Sequence, residues 1–191
     1  MGSEMCIRDR YNNYSGSVPL IYWENEKTGY IGSGSLIDKC GLILTNWHVV
    51  KEAKDLIIIY KPKNGESITD AVSYPAEIVL HEEDLDLDII KVNTVPSNIK
   101  TIPIAKNYKV NVGEDIHAIG HPDGHYWTYS KGIVSQIRNK YKFKYKKSNH
   151  QANVIQIQTT IDTGSSGGPL LNNKGQLLSL IHISEPTRRY S

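Results

Sequence analysis

Gly164-Ser165-Ser166-Gly167-Gly168-Pro169-Leu170-Leu171 is the stretch on which the reading of this chain turns. A serine set among three glycines sits in a turn whose backbone can adopt conformations closed to other residues and can bring N–H groups close to a ligand. A Gly-rich turn alone needs no Gly-Gly-Pro-Leu-Leu sequel. A serine hydroxyl is a weak nucleophile unless a base lies beside it, so a nucleophilic serine requires partners elsewhere in the chain. Two stretches qualify. One is Leu42-Ile43-Leu44-Thr45-Asn46-Trp47-His48-Val49-Val50, preceded by Gly32-Ser33-Gly34-Ser35-Leu36-Ile37-Asp38. The other is Asp84-Leu85-Asp86-Leu87-Asp88-Ile89-Ile90-Lys91-Val92. The chain order is histidine, aspartate, serine.

Outward from these motifs the pattern is β throughout. Short apolar runs fall at Val18–Trp23, Ser35–Leu44, Leu56–Tyr60, Ala76–Leu80, Leu87–Val92, Asp115–Ile119, Gly132–Ile137, Val154–Thr159 and Leu170–Leu171. Turn signals separate them at Lys63-Asn64-Gly65, His121-Pro122-Asp123-Gly124 and Asn172-Asn173-Lys174-Gly175. Many short, evenly spaced strands indicate a sandwich or a pair of barrels. One helical turn is expected at Val50–Lys54, and Asn93–Pro103 is the expected linker between two halves. No run approaches the ~20 apolar residues that span a bilayer.

The two ends read as one DNA string. Gly2–Asp9 can be encoded by GGC TCG GAG ATG TGT ATA AGA GAC, followed by AG. The reverse complement of that string translates as Leu178-Ser179-Leu180-Ile181-His182-Ile183-Ser184-Glu185-Pro186. We expect residues 1–10 and 178–191 to be translated sequencing adapter, which leaves them outside the native fold. Cys6 then belongs to the adapter, Cys40 stands alone, and no internal disulfide can form. Removing four of the 22 Lys/Arg and three of the 20 Asp/Glu leaves a balance of +1, which points to no polyanionic partner. Leu178–Ile183 is apolar enough to imitate a strand.

The motifs together resemble the trypsin-like serine peptidases, most closely their bacterial HtrA/Deg-type branch, from about Tyr30 to Gly175. Val112-Gly113-Glu114, Ala118-Ile119-Gly120-His121-Pro122 and Gly132-Ile133-Val134-Ser135 look like the same family. The resemblance implies an all-β fold of two six-stranded antiparallel barrels of the chymotrypsin type. The first barrel is expected over 11–98 and the second over 99–177, the latter truncated at its C-terminal end. It implies a serine endopeptidase acting on protein or peptide substrates through an acyl-enzyme, without a metal or cofactor. His48, Asp86 and Ser166 are the implied triad, and the N–H groups of Gly164 and Ser166 the implied oxyanion hole. Thr160, six residues before Ser166, would lie at the base of the substrate pocket and favour a small or medium apolar residue. Relatives of this branch are often extracytoplasmic and oligomeric, with further domains attached.

Three aspartates alternate around the implied member of the triad, and on a strand Asp84, Asp86 and Asp88 would share one face. Asp86 has the family's downstream spacing. Asp88 stands where a small residue is usual, so either it turns to solvent or the register shifts.

Other signals weigh less. His117, His121 and His125 have helical spacing in a strand-and-turn context and read as surface loop histidines rather than metal ligands. Lys140–Lys147 alternates lysine with rings, which on a strand puts the lysines on one face. It reads as a solvated hairpin rather than a nucleic-acid patch. Cys40, in a turn beside Gly41, lacks the neighbours that lower a thiol pKa. The rival function is a protease-like binding module that holds chains without cutting them.

Overall fold

The computed structural model describes residues 2–63, 66–145 and 148–182, and for 2–7, 143–145 and 148–150 the backbone alone. Two antiparallel sheets divide the chain. The first is built from β1 (Leu20–Glu24), β2 (Gly29–Ser33), β3 (Ser35–Leu36), β4 (Leu42–Thr45), β5 (Leu56–Ile59), β6 (Ser73–Glu82) and β7 (Leu87–Val92). Its order is β2-β1-β5-β6-β7-β4-β3. The two end strands are consecutive in the chain, separated only by Gly34, so one bent segment pairs with β1 at one end and β4 at the other. That is how a sheet curls back on itself into a barrel and leaves no long unpaired edge.

The second sheet holds β8 (Asp115–Gly120), β9 (Thr128–Tyr145), β10 (Ser148–Gln158), β11 (Pro169–Leu171) and β12 (Leu177–Leu180), in the order β10-β9-β8-β11-β12. It has five strands among the described residues. Among the described residues the α-helices are α1 (Gly2–Tyr14) and the single turn α2 (Trp47–Val50), beside short 3-10 turns.

Period-two burial explains why these runs are strands. In β5, Leu56 and Ile58 face inward; in β7, Asp88, Ile90 and Val92 do. The first core gathers Ile21, Leu36, Ile43, Ile58 and Ile90 around Trp23 and Tyr60. Each such aliphatic side chain contributes about 1.5–3 kcal/mol on burial. The second sheet packs Ile116, Ala118, Val134, Leu170 and Ile181 on one side. A third cluster, Val18, Ile102, Ile119, Leu171 and Leu177, also takes in Ile37 and Leu44 from the first half, so it joins the two sheets.

Polar contacts finish that seam. Ser33 N–H donates to Ser166 O at 2.9 Å, Ser33 Oγ to Gly164 O at 2.8 Å and Ser35 Oγ to Gly167 O at 3.4 Å. Thr45 Oγ1 donates to Ser33 O at 2.9 Å from behind. Gly167 lies so close that a Cβ built on it would meet Ser33 O at 2.1 Å and Thr45 Oγ1 at 2.3 Å, and its φ is +84°. Only glycine fits both the space and the dihedral.

The structure departs from several expectations. The helical turn begins at Trp47, not Val50, and so contains His48. The run Ser35–Leu44 is split by the turn at Asp38–Gly41, closed by Gly41 N–H to Asp38 O at 3.0 Å. β2 lacks a readable pattern because Gly29, Tyr30 and Ile31 are all exposed. β9 and β10 extend well past Gly132–Ile137 and Val154–Thr159, because they pair with each other through their backbones and need no buried face at their tips. Lys146 and Lys147, at the tip of the expected lysine-and-ring hairpin, lie outside the described residues.

Two histidines read as surface residues are buried. His117 and His121 lie on and just after β8, a middle strand, and only His125 is exposed. His117 is satisfied by Tyr129 Oη at 2.6 Å and Asn173 Oδ1 at 2.9 Å. His121 Nδ1 accepts from Trp127 N–H at 3.1 Å, and burial pushes its pKa down to about 4. Cys40 is exposed in its turn, where its N–H donates to Asp38 Oδ1 at 2.6 Å.

The two ends of the chain pack onto this frame. Arg10, in α1, donates to Asn173 Oδ1 at 3.1 Å. Leu178–Leu180 continue β12 against β11, and Ile181 is buried, its N–H donating to Gly168 O at 2.9 Å. The segment expected to imitate a strand pairs as one.

Substituting Gly167 by Ala is expected to destabilise the fold by roughly 2–5 kcal/mol, from strain and overpacking together. Gly113→Ala has a similar φ of +85° but nothing within 4 Å of the added carbon, and should cost only about 1 kcal/mol. Urea denaturation midpoints of the two variants check this, and equal losses would contradict it.

Candidate active site

Asp86 ends a turn rather than occupying a strand. Its N–H donates to Glu83 O at 3.0 Å and its φ is +54°, a left-handed conformation that aspartate tolerates better than most residues. That single residue breaks the expected alternation. Asp86 turns its carboxylate to α2, whereas Asp88, two residues on in β7, points to His81. The three aspartates therefore do not share a face.

The Asp86 carboxylate makes two kinds of contact with His48. Oδ1 accepts the His48 backbone N–H at 2.9 Å, and the ring Nδ1 lies 3.0 Å from Oδ1 and 2.8 Å from Oδ2. The first contact caps the start of α2, whose early N–H groups have no partner within the helix. Asn46, the residue before the helix, makes no capping bond through its side chain; its Nδ2 donates to Asp86 O at 3.0 Å. Backbone and ring of His48 are thus held by the same carboxylate. Both side chains are buried, at 7% and 2% exposure.

Burial pushes the Asp86 carboxyl up, but hydrogen bonds from His182 and His48, with the charge of His48, outweigh it and hold the group well below the ordinary carboxylate range. Asp88 is fully buried and does not turn to solvent, contrary to one of the two expectations for it. It accepts from His81 Nδ1 at 3.0 Å and from Glu82 N–H at 3.3 Å. Burial pushes its pKa up, and the His81 contact and the Glu82 N–H offset only part of that.

Ser166 comes from the other sheet and is 7% exposed. The seam brings its loop to the start of α2: a Cβ on Gly167 would lie 3.3 Å from Asn46 N, two residues before His48. Around Ser166, the N–H groups of Ser165, Gly167 and Gly168 donate to Asp162 O, Ile181 O and Ser165 O. Those of Gly164 and Ser166 donate to no described acceptor. Thr160 is exposed, beyond the end of β10.

Four residues at the site had been given no role of their own, although Ser33, Ser35 and Asn46 lie within the quoted motifs. Ser33 and Ser35 hold the serine loop by their hydroxyls. Asn46 ties α2 to the Asp86 turn. His182 Nδ1 lies 2.7 Å from Asp86 Oδ2, the oxygen nearest His48. His48, Asp86 and His182 are also the described residues whose donor atoms lie within 4.8 Å of one another, close enough to share a metal ion.

Two curled antiparallel sheets, an imidazole–carboxylate couple on one and a Gly-rich serine loop from the other define the chymotrypsin-type class. Residues 32–180 match the trypsin-like peptidase domain, and the chain belongs to that family. Protease Do-like 1, chloroplastic, of Arabidopsis thaliana is 31% identical over 149 residues, covering 78% of this chain and 32% of that protein. Serine endoprotease DegS of Haemophilus influenzae is 30% identical over 175 residues, covering 91% of this chain and 47% of that one. A crystal structure of the serine endoprotease from Yersinia pestis superposes with a TM-score of 0.75 at 25% identity, covering 93% of this chain and 57% of that chain. The chain therefore spans between a third and just over half of these relatives.

Asp86 should make stability depend on acid. Its pKa is lower folded than unfolded, so its contribution is complete above the unfolded value of about 3.9 and is lost as pH falls below it. The stability difference between the unsubstituted chain and Asp86→Asn should narrow between pH ~5 and ~2. Urea midpoints across that range test it; a constant difference would rule out the linkage.

Proposed function

We propose that this chain carries the catalytic domain of an HtrA-type serine endopeptidase, with Ser166 as nucleophile, His48 as general base and Asp86 as the group that orients the imidazole. The observation that carries the proposal is the double hold of Asp86 on His48, through the backbone N–H and through ring Nδ1. A proton on Nδ1 leaves Nε2 as the basic nitrogen, the one that must accept the serine proton. His48 would take that proton as Oγ attacks a peptide carbonyl, then return it to the leaving amine. Water would release the acyl group by the same steps.

The oxyanion would be met by the N–H groups of Gly164 and Ser166, which have no described acceptor while their neighbours do. Removing one such donor typically costs ~10²–10³ in rate. Thr160 would line the primary pocket; being small and uncharged, it offers nothing to pair with Lys or Arg. Proteins and peptides are the substrate class. That breadth rests on relatives named as serine endoproteases.

We also infer that 1–10 and 178–191 are adapter translation, that the native barrels run over 11–98 and 99–177, and that the second is incomplete. β12 and His182 would then occupy the place of native residues that continue the second barrel. The 191-residue polypeptide should accordingly be poorly stable and nearly inactive beside its parent. Robust turnover of casein by it would refute that inference.

Fluorophosphonate labelling of the complete parent protein tests the chemistry. Label should appear on the wild type, vanish in Ser166→Ala and slow by about 10⁴ in Asp86→Asn, the size of loss seen when a triad aspartate is replaced. Label that persists in Ser166→Ala removes Ser166 as nucleophile. An unlabelled wild type that still binds unfolded chains would support the binding-module reading.

A further inference from the structure

A second aspartate–histidine pair stands behind the first. Trp47 Nε1 donates to His81 Nε2 at 2.6 Å, and His81 Nδ1 lies 3.0 Å from Asp88 Oδ2. The line runs from α2 to β6 to β7. His81 and Asp88 are directly opposite one another in the β6–β7 ladder, and Asp88 also stands opposite Thr45 on β4. The pair is therefore built into the sheet that carries Asp86.

The chemistry of the line has one proton arrangement. Indole nitrogen only donates, so His81 Nε2 must be the accepting, unprotonated nitrogen. The ring proton then sits on Nδ1 and is donated to Asp88. Asp88 is fully buried, and its other oxygen takes the Glu82 N–H at 3.3 Å. Trp47 is 6% exposed, its ring edge-on to His81 with centroids 5.9 Å apart, and the Lys51 ammonium lies 4.3 Å from the ring centroid. The indole is held by His81 and by Lys51.

Trp47 is the first residue of α2, and His48 is the next. A four-residue helix gains little from its own hydrogen bonds, so its orientation depends on what grips its side chains. Asp86 grips His48; the Asp88–His81 line grips the residue before it. We propose that Asp88, His81 and Trp47 are positioning residues for the proposed general base: they fix the pose of α2, so that His48 meets Asp86 and Ser166 in register. This rests on the serine-protease reading of the site. It also accounts for an acidic residue at position 88, where the family pattern has a small one. A buried carboxylate is costly unless paired, and here His81 pairs it.

The test uses the complete parent protein, four single variants and one double variant. Trp47→Phe removes the N–H donor and keeps an aromatic, though smaller, ring. His81→Leu removes the acceptor, while His81→Gln offers an amide oxygen in its place. Ser166→Ala is the control for the labelling reaction. Fluorophosphonate labelling should slow by about tenfold in Trp47→Phe, by at least as much in His81→Leu, which also takes the ring partner from Asp88, and by no more in the double variant than in His81→Leu, because both changes break the Trp47–His81 bond. His81→Gln should recover most of the rate. The Trp47 indole proton should exchange slowly in the wild type and quickly in His81→Leu, and the resonance of the His48–Asp86 proton should shift in the same variant. Wild-type labelling rates in His81→Leu, or an equal loss in His81→Gln and His81→Leu, would overturn the proposal. An unlabelled wild type would count against the protease reading alone; the indole exchange and the His48 resonance still decide the positioning role, and an unmoved His48 resonance in His81→Leu overturns it.

Discussion

The contact on which the rest of the structure depends is the backbone of Gly167 lying against Ser33 O and Thr45 Oγ1. No side chain fits between them. Because the gap is closed by carbonyls and hydroxyls rather than by side-chain tips, it has little room to adjust. Ser33 serves the contact three ways: its N–H, hydroxyl and carbonyl meet Ser166, Gly164 and Thr45. Thr45 is the last residue of β4, and α2 starts two residues on. The seam that joins the sheets thus also sets the distance between the serine loop and the helix that bears His48.

Within that frame the Asp86 turn does two jobs with one carboxylate. It caps the start of α2 at the His48 N–H, and it takes the ring of the same residue. Its left-handed backbone is strain of the kind that persists where surrounding bonds over-determine a residue. Asn46 Nδ2 on the Asp86 carbonyl is one of those bonds. The low pKa of Asp86, despite burial that opposes it, has the same origin: several donors converge on a small anion.

Asp88 shows how a second buried carboxylate survives beside the first. One residue, Leu87, separates them in sequence, and the φ of +54° at Asp86 sends the two side chains to different partners. Repulsion between them remains as one of the forces raising the Asp88 pKa. His182 adds a further donor to Asp86 from a segment we infer to be foreign, carried there by an apolar strand that finds an open edge at β11. A sheet edge accepts any extended apolar peptide of suitable length, whatever its origin.

Much of this protein was legible in its sequence. The Gly-Ser-Ser-Gly-Gly-Pro loop, the Thr-Asn-x-His segment and the Asp86 spacing pointed to the residues of the candidate site. Period-two burial located β5 and β7 to within a few residues, because each has one face in a core, while β1 and β8 were legible as apolar runs. What the sequence could not determine was set by contacts between distant segments. β2 has no periodicity, since its outer residues are exposed. His117 and His121 looked like loop residues until the sheet covered both sides of β8. The direction of Asp86 and Asp88 depended on one backbone dihedral, and the grip on Trp47 on a ladder register between β6 and β7. Local pattern reports which face of a strand is apolar; only the folded chain decides which polar groups end up opposite one another, because hydrogen bonds between strands join residues with no relation in sequence.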